Sequence, residues 1–321
     1  MIDMSRGDGN EWMKNVLRLP REEYMKKIRE GVKRYDVDPY PEVFQLHEHV
    51  FSMYVPCTHN HGDVWMHLIE GEDVAMLVDT GFGVGDLRAL CRELIGEKPV
   101  IVVNTHCHGD HSLGNVQFDR VYCHKYDAPM LLHQQYPEYW EEFNITGPGK
   151  IPRYYWKNED VMPFRKYEII PCENGKEFSL GKDHTVELIY MPGHTPGGCC
   201  YLDKKYRILF SGDALMALAN GICNPMKDYF EHKEKGTVAA FRDELRKLQK
   251  RLGEIDVLYP GHGILEVPKQ LISDDLACAE AICENADCYN MVLDDRGTKK
   301  KMMTVGIGNI IYGESRIQGG Q

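Results

Sequence analysis

The sequence has 321 residues but no apolar run near the roughly 18 that a membrane-crossing helix requires. Its start, Met1-Ile2-Asp3-Met4-Ser5-Arg6-Gly7-Asp8, lacks the apolar core of a secretory leader, so the expected compartment is the cytoplasm. Positive charge is scarce. Lys and Arg number 38 against 49 Asp and Glu, a net charge of −11. Nucleic acid and anionic membrane both call for a basic face, so neither is expected as a partner. Among 11 cysteines there is no Cys-x-x-Cys pair. Cys199-Cys200, and Cys278, Cys283 and Cys288, fit no zinc ribbon or finger; without a leader they read as reduced, mostly packed thiols. What remains is an ordinary globular composition, long enough for one large core or two modest ones.

What is present is a dense run of metal-binding side chains, Thr105-His106-Cys107-His108-Gly109-Asp110-His111, with three histidines and an aspartate in six residues. The preceding Val100-Ile101-Val102-Val103-Asn104 is short, apolar and β-branched, and reads as a buried strand. The run then occupies the loop at that strand's C-terminal end. In extended backbone His106 and His108 project to one side. Gly109 allows a sharp turn, after which Asp110 and His111 point back from another direction. One loop thus offers two ligands to one ion and two to its neighbour. Imidazole with carboxylate suits zinc, iron or manganese better than calcium or magnesium. Cys107 lies between two of these residues, but alternation turns it away, and it reads as packing.

Residues 1–41 read as an N-terminal helical extension. Residues 21–30 carry charges of both signs after Pro20, the pattern of a solvated helix, and a contact between subunits of a homo-oligomer is left open there. Pro39-Tyr40-Pro41 marks a break. From 42 to 265 the pattern is that of a catalytic domain. It begins with four short strands ending at Asp79-Thr80-Gly81, continues through an amphipathic helix over 86–96, and reaches the strand before the histidine run. A meander therefore gives way to strand-helix-strand. Asp79, at a strand end, is placed to orient ligands from behind. His59, in the polar loop Cys57-Thr58-His59-Asn60-His61-Gly62-Asp63, and Tyr229 are the substrate-facing candidates, on position alone. Residues 126–167 are long, aromatic and without clear periodicity: either a lid over the site or a helical insertion whose aromatics are core.

Further ligand-type residues recur after later strands, each in a glycine-containing turn. His194 lies in Pro192-Gly193-His194-Thr195-Pro196-Gly197-Gly198, Asp213 in Ser211-Gly212-Asp213, and His262 in Tyr259-Pro260-Gly261-His262-Gly263. An amphipathic helix spans 237–252. Residues 266–321 read as a helix, bounded loosely by 264 and 292, and a tail that completes the domain, its end a short hairpin or loose terminal segment. Seven such residues at strand ends suit two ions.

These motifs, in this order, resemble the metallo-β-lactamase superfamily over roughly residues 43–265. The resemblance implies an α/β fold, a four-layered αβ/βα sandwich with a dinuclear site on one edge. It implies that His106, His108 and His194 bind one metal ion, and Asp110, His111 and His262 a second. Asp213 would bridge them, with water or hydroxide as the other bridge. The cofactors would be two divalent ions, zinc first, with iron and manganese compatible. Asp110 and Asp213 are the catalytic candidates, Asp110 with a secondary role in proton handling.

Within the superfamily the Pro-Gly-His-Thr-Pro-Gly turn and Asp213 look most like the glyoxalase II and lactonase branch. Class B β-lactamases generally lack the bridging aspartate, flavodiiron relatives have Glu where His108 stands, and tRNA-processing relatives need a basic exosite. The leading expectation is a dinuclear hydrolase of a small carboxyl ester, thioester or lactone. The alternatives are a mononuclear iron oxidoreductase of the persulfide dioxygenase kind and a phosphodiester hydrolase. A non-catalytic binding protein leaves the ligand set unexplained.

Overall fold

Successive residues of the buried strands feed two different cores. In the strand Ala75–Val78, Met76 and Val78 enter the larger core, while Ala75 and Leu77 enter a smaller one with Leu87, Leu90, Cys91 and Ile95 of the helix Leu87–Ile95. Val64–Glu70 divides likewise: Trp65 and Ile69 go one way, Met66 and Leu68 the other. A period of two on a strand buried on both faces is what a sheet between two layers demands. The computed structural model describes residues 21–56, 63–146, 151–152, 156–223, 230–295 and 298–318.

The first sheet has eight strands. Lys33–Tyr35, Asp38–His47, Val50–Val55, Val64–Glu70 and Ala75–Val78 form an antiparallel meander, and Val100–Val103, Arg120–His124 and Glu168–Cys172 follow in parallel. The meander giving way to strand-helix-strand is as the sequence leads one to expect. The second sheet runs Glu177–Gly181, His184–Tyr190, Cys199–Asp203, Ile208–Gly212, Val257–Pro260 and Val267–Pro268. Its residues Leu188, Leu202 and Phe210 share the larger core with Phe241 and Leu245 of the helix Val238–Gln249 and with Leu271 and Ile282 of the helix Gln270–Glu284. The layers are helix, sheet, sheet, helices, the αβ/βα sandwich.

The parallel strands end on one edge, and the loops leaving them meet there. Asp79 N–H donates to Val103 O (2.8 Å), Cys199 N–H to Thr105 O (2.9 Å) and Gly261 N–H to Gly212 O (2.9 Å). The first and third bonds tie neighbouring ligand-bearing loops within one sheet, and the Cys199–Thr105 bond stitches the two sheets across the seam of the sandwich.

Three features depart from the sequence reading. The strand Asp38–His47 runs through Pro39 and Pro41. Its ladder with the next strand starts at Glu42↔Tyr54, so neither proline nitrogen is needed as a donor there. The helix Arg21–Ile28 is not fully solvated, because Tyr24 and Met25 are buried in the larger core. The C-terminal helix is confined to Gln270–Glu284; Val292 falls in the strand Met291–Asp295. The tail takes the hairpin form, one of the two expected, Thr298–Val305 with Gly308–Tyr312, and its second strand pairs in parallel with Asn220–Ile222. That pairing ties the chain's end to the segment following Asp213.

Candidate metal centre

Thr105 to His108 leave the strand in irregular backbone, and a single helical turn, Gly109–Ser112, follows. The turn reverses the chain, so Asp110 and His111 face the space that His106 and His108 face. Gly109 is not left-handed; a Cβ there would lie 2.8 Å from the Phe143 ring, so close approach is what calls for glycine. Cys107 is fully buried with Cys123, Met130 and Leu131, away from the histidines, as alternation leads one to expect.

The structure brings all seven expected ligands together. Donor atoms of His106, His108 and His194 lie within 4.8 Å of one another, as do those of Asp110, His111 and His262. A third such group, His106, His111 and Asp213, joins the first two. Asp213 Oδ1 stands 3.3 Å from His111 Nε2, and its Oδ2 stands 3.3 Å from His262, 3.6 Å from His194 and 3.9 Å from His106. That Oδ1 is buried without a hydrogen bond.

The outer ring nitrogens decide whether the inner ones can bind an ion. His111 Nδ1–H donates to Asp79 Oδ2 (2.8 Å), His194 Nδ1–H to the Gly221 carbonyl (3.1 Å) and His262 Nδ1–H to the Asp63 carbonyl. His106 Nδ1–H donates to Thr105 Oγ1 (3.1 Å), which itself donates to Asp79 Oδ2 (2.7 Å). With those protons committed outward, the inner nitrogens of His106, His111, His194 and His262 each carry a lone pair when the ring is neutral. Yet His111 Nε2 and His262 Nε2 are 3.1 Å apart, and His106 Nε2 and His194 Nε2 sit 3.0 and 2.9 Å from His108 Nδ1. The lone pairs of His111 and His262, 3.1 Å apart, repel unless a proton or a metal ion is shared between them. The donor set therefore fits metal ions.

Electrostatics agree, and differ between the halves. Burial holds the His106 ring well below the ordinary imidazole range and lowers His194 to about 4, with neighbouring rings adding to both. In the other half burial also disfavours charge on His111, but the Asp213, Asp110 and Asp79 carboxylates outweigh it and lift that ring to about 10. His262 is lifted likewise, against burial, by Asp213 and Asp110. Two carboxylates buried this way draw positive charge into the site.

Asp79 lies behind the ligand loop. Besides its bonds to His111 and Thr105 Oγ1, it accepts from Thr105 N–H (2.7 Å). Three positioning residues escaped the sequence reading. Asp127, fully buried, accepts from Cys107 N–H (2.9 Å), Thr195 Oγ1 (2.8 Å) and Gly197 N–H (2.7 Å). Trp65 holds the His262 turn, donating from its backbone to Gly261 O (2.8 Å) and from its indole to Gly263 O (2.9 Å). Arg316, buried near the chain's end, donates to the carbonyls of Gly193, His194 and Gly236. Nothing local marks these three, because each acts on a loop remote in sequence. His59 and Tyr229 lie outside the described residues.

Part of the aromatic segment is core and part lies against the histidine loop. Trp156 is core, 5.0 Å from Phe82 ring to ring. Phe143, on the short helix Tyr139–Asn144, packs over the histidine loop at Gly109. Next to it a cavity of about 70 Å³ is lined by Leu113, Tyr136, Tyr139, Trp140, Met162 and Phe164, among others.

Comparison with known proteins agrees with the geometry. The profile of the metallo-beta-lactamase superfamily matches residues 59–262. Acyl-coenzyme A thioesterase MBLAC2 of Gallus gallus is 28% identical over 216 residues, covering 63% of this chain and 73% of that protein. Hydroxyacylglutathione hydrolase of Maricaulis maris is 32% identical over 119 residues, 37% of this chain and 34% of that protein. The fold is shared with a beta-lactamase domain protein from Burkholderia ambifaria, TM-score 0.54 at 18% identity, covering 82% of this chain and 86% of that one. This chain therefore belongs to the metallo-beta-lactamase superfamily and is one of its metal-dependent hydrolases.

Proposed function

We propose that this protein is a two-metal hydrolase of acyl thioesters or closely related small activated carboxyl esters. The observation that carries the reading is Asp213, whose two carboxylate oxygens stand 3.3 Å from His111 and 3.3 Å from His262 while also facing His194 and His106. In this reading His106, His108 and His194 would hold one ion and Asp110, His111 and His262 the other, with Asp213 placed to serve as a ligand to either. The thioesterase and hydroxyacylglutathione hydrolase relatives act, by their names, on thioesters, which supports that substrate class here.

Two divalent ions, zinc first among them, supply the Lewis acidity that ionises water near neutral pH and polarises a carbonyl oxygen. The chain's part is to aim four imidazoles inward, those of His106, His111, His194 and His262, through Thr105, Asp79, and the Gly221 and Asp63 carbonyls. Asp110 and Asp213 stay ionised in the site: burial opposes this, and the charge of His111 and His262 overcomes it. A departing thiol ionises near pH 8.5, so it leaves without a dedicated general acid. An alcohol requires more help, which ranks thioesters first.

The test is metal analysis of the purified protein followed by a panel of thioester, ester, lactone, β-lactam and phosphodiester substrates. Two ions per chain with thioester turnover is the expected result. One iron per chain with oxygen consumption on a persulfide, or turnover confined to phosphodiesters, overturns it.

A further inference from the structure

We propose that Asp127 is the positioning residue for the three-histidine half of the centre, acting separately from Asp79. Asp127 occupies the N-cap position of the helix Ala128–His133, where an aspartate ordinarily bonds the first free backbone N–H groups. Its side chain makes no such cap. The carboxylate is turned instead to the ligand loops. Cys107, whose N–H it accepts at 2.9 Å, stands between His106 and His108. Thr195 and Gly197, which donate at 2.8 and 2.7 Å, follow His194. One buried group thus fixes the spacing of two loops that carry all three histidines. A Cβ on Gly197 would lie 2.7 Å from the Asp127 carboxyl carbon, so glycine is what lets the turn come this close.

No bond from Asp127 reaches the other half. His111 is held by Asp79, and His262 by Asp63 and by the turn that Trp65 pins. All of Asp127's partners here are donors, and a carboxylate accepts from each. An amide would present N–H groups to at least one of them. The inference rests on the two-ion reading of the centre and adds that the two ion affinities can be separated.

The test measures zinc affinity of the full-length protein by competition with a chromophoric chelator, without substrate. It compares wild type, Asp127→Ala, Asp127→Asn and Thr195→Val, with the cobalt-substituted visible spectrum as a second readout. Asp127→Ala is expected to weaken one of two equivalents by about 10–100-fold. The other stays within about threefold, and cobalt bands change for the weakened site alone. Asp127→Asn falls between Ala and wild type. Thr195→Val, which removes one donor, carries the test if Asp127→Ala does not fold, and is expected to weaken the same equivalent by less. Unchanged affinities, or equal weakening of both equivalents, overturn the proposal. A wild type that binds a single ion defeats the two-ion reading instead. Asp127 is then judged on that ion: weakened binding with an intact fold supports it, unchanged binding overturns it.

Discussion

Asp79 Oδ2 lies 2.8 Å from His111 Nδ1, and the aspartate reaches this position with a left-handed backbone, φ +63°. Asn tolerates that backbone region, so Asp79→Asn removes the charge without adding the strain that Ala would bring. Because Asp79 also anchors Thr105, on which His106 leans, the variant is expected to weaken zinc in both halves, by about 10–100-fold. Chelator competition and kcat/KM check this. Loss confined to one ion would contradict the hub role.

Asp213→Asn is nearly isosteric and keeps one acceptor, whereas Asp213→Ala keeps none. Zinc content and hydrolysis are expected to fall together in Ala and by less in Asn. Two ions retained with full turnover in Asp213→Ala would rule out a shared ligand. Elemental analysis alongside a thioester assay decides.

The ligand set was legible because its chemistry forces residue type and spacing together. His106, His108, Asp110 and His111 fit in one loop, and His194, Asp213 and His262 each sit in a turn after a strand. The alternation that hid Cys107 was equally local. Asp127 was illegible for the opposite reason: its meaning depends on Gly197, 70 positions away, and nothing between them announces the contact. Arg316 is further still, 122 positions from His194. Pro39 and Pro41 misled because a proline disfavours a strand only where its nitrogen would have to donate, and these two lie outside the pairing with Val50–Val55.

Arg316 gives the tail a measurable role. Burial lowers its guanidinium to about 10, and it donates to the carbonyls of Gly193, His194 and Gly236. Hydrogen bonds from a charged donor contribute roughly 1.5–3 kcal/mol each. Arg316→Met is therefore expected to lower Tm by several degrees and to reduce zinc held at His194. Lys cannot reproduce the planar fork, so Arg316→Lys should resemble Met more than wild type. Thermal melts with and without zinc test this; a wild-type Tm in both variants would refute it.

Phe143 leans on the loop between His108 and Asp110 and borders the aromatic cavity through Tyr139, ring to ring 6.3 Å. Phe143→Ala is expected to raise KM for acyl thioesters about tenfold, in the range of a lost apolar contact, with zinc content unchanged and kcat little altered. A fall in kcat with KM constant would instead assign Phe143 to holding the loop.

Asp38 offers a stability test remote from the metal site. It is almost wholly buried, its Oδ2 has no hydrogen-bond partner, and it packs against Gly85 with Asp86 nearby. Burial raises its carboxyl to about 7; the Tyr40 N–H bond opposes this and Asp86 adds to it. An unfolded aspartate releases its proton near 3.9. The folded chain thus holds a proton that the unfolded chain gives up. The stability this confers is complete below about pH 4 and is lost as pH rises through 7. Asp38→Asn stays neutral throughout. Relative to wild type its Tm should therefore gain steadily from pH 4 to pH 8, with the largest difference at pH 8. An offset independent of pH would show that Asp38 is not protonated in the folded state at neutral pH, and that its buried oxygen has a partner.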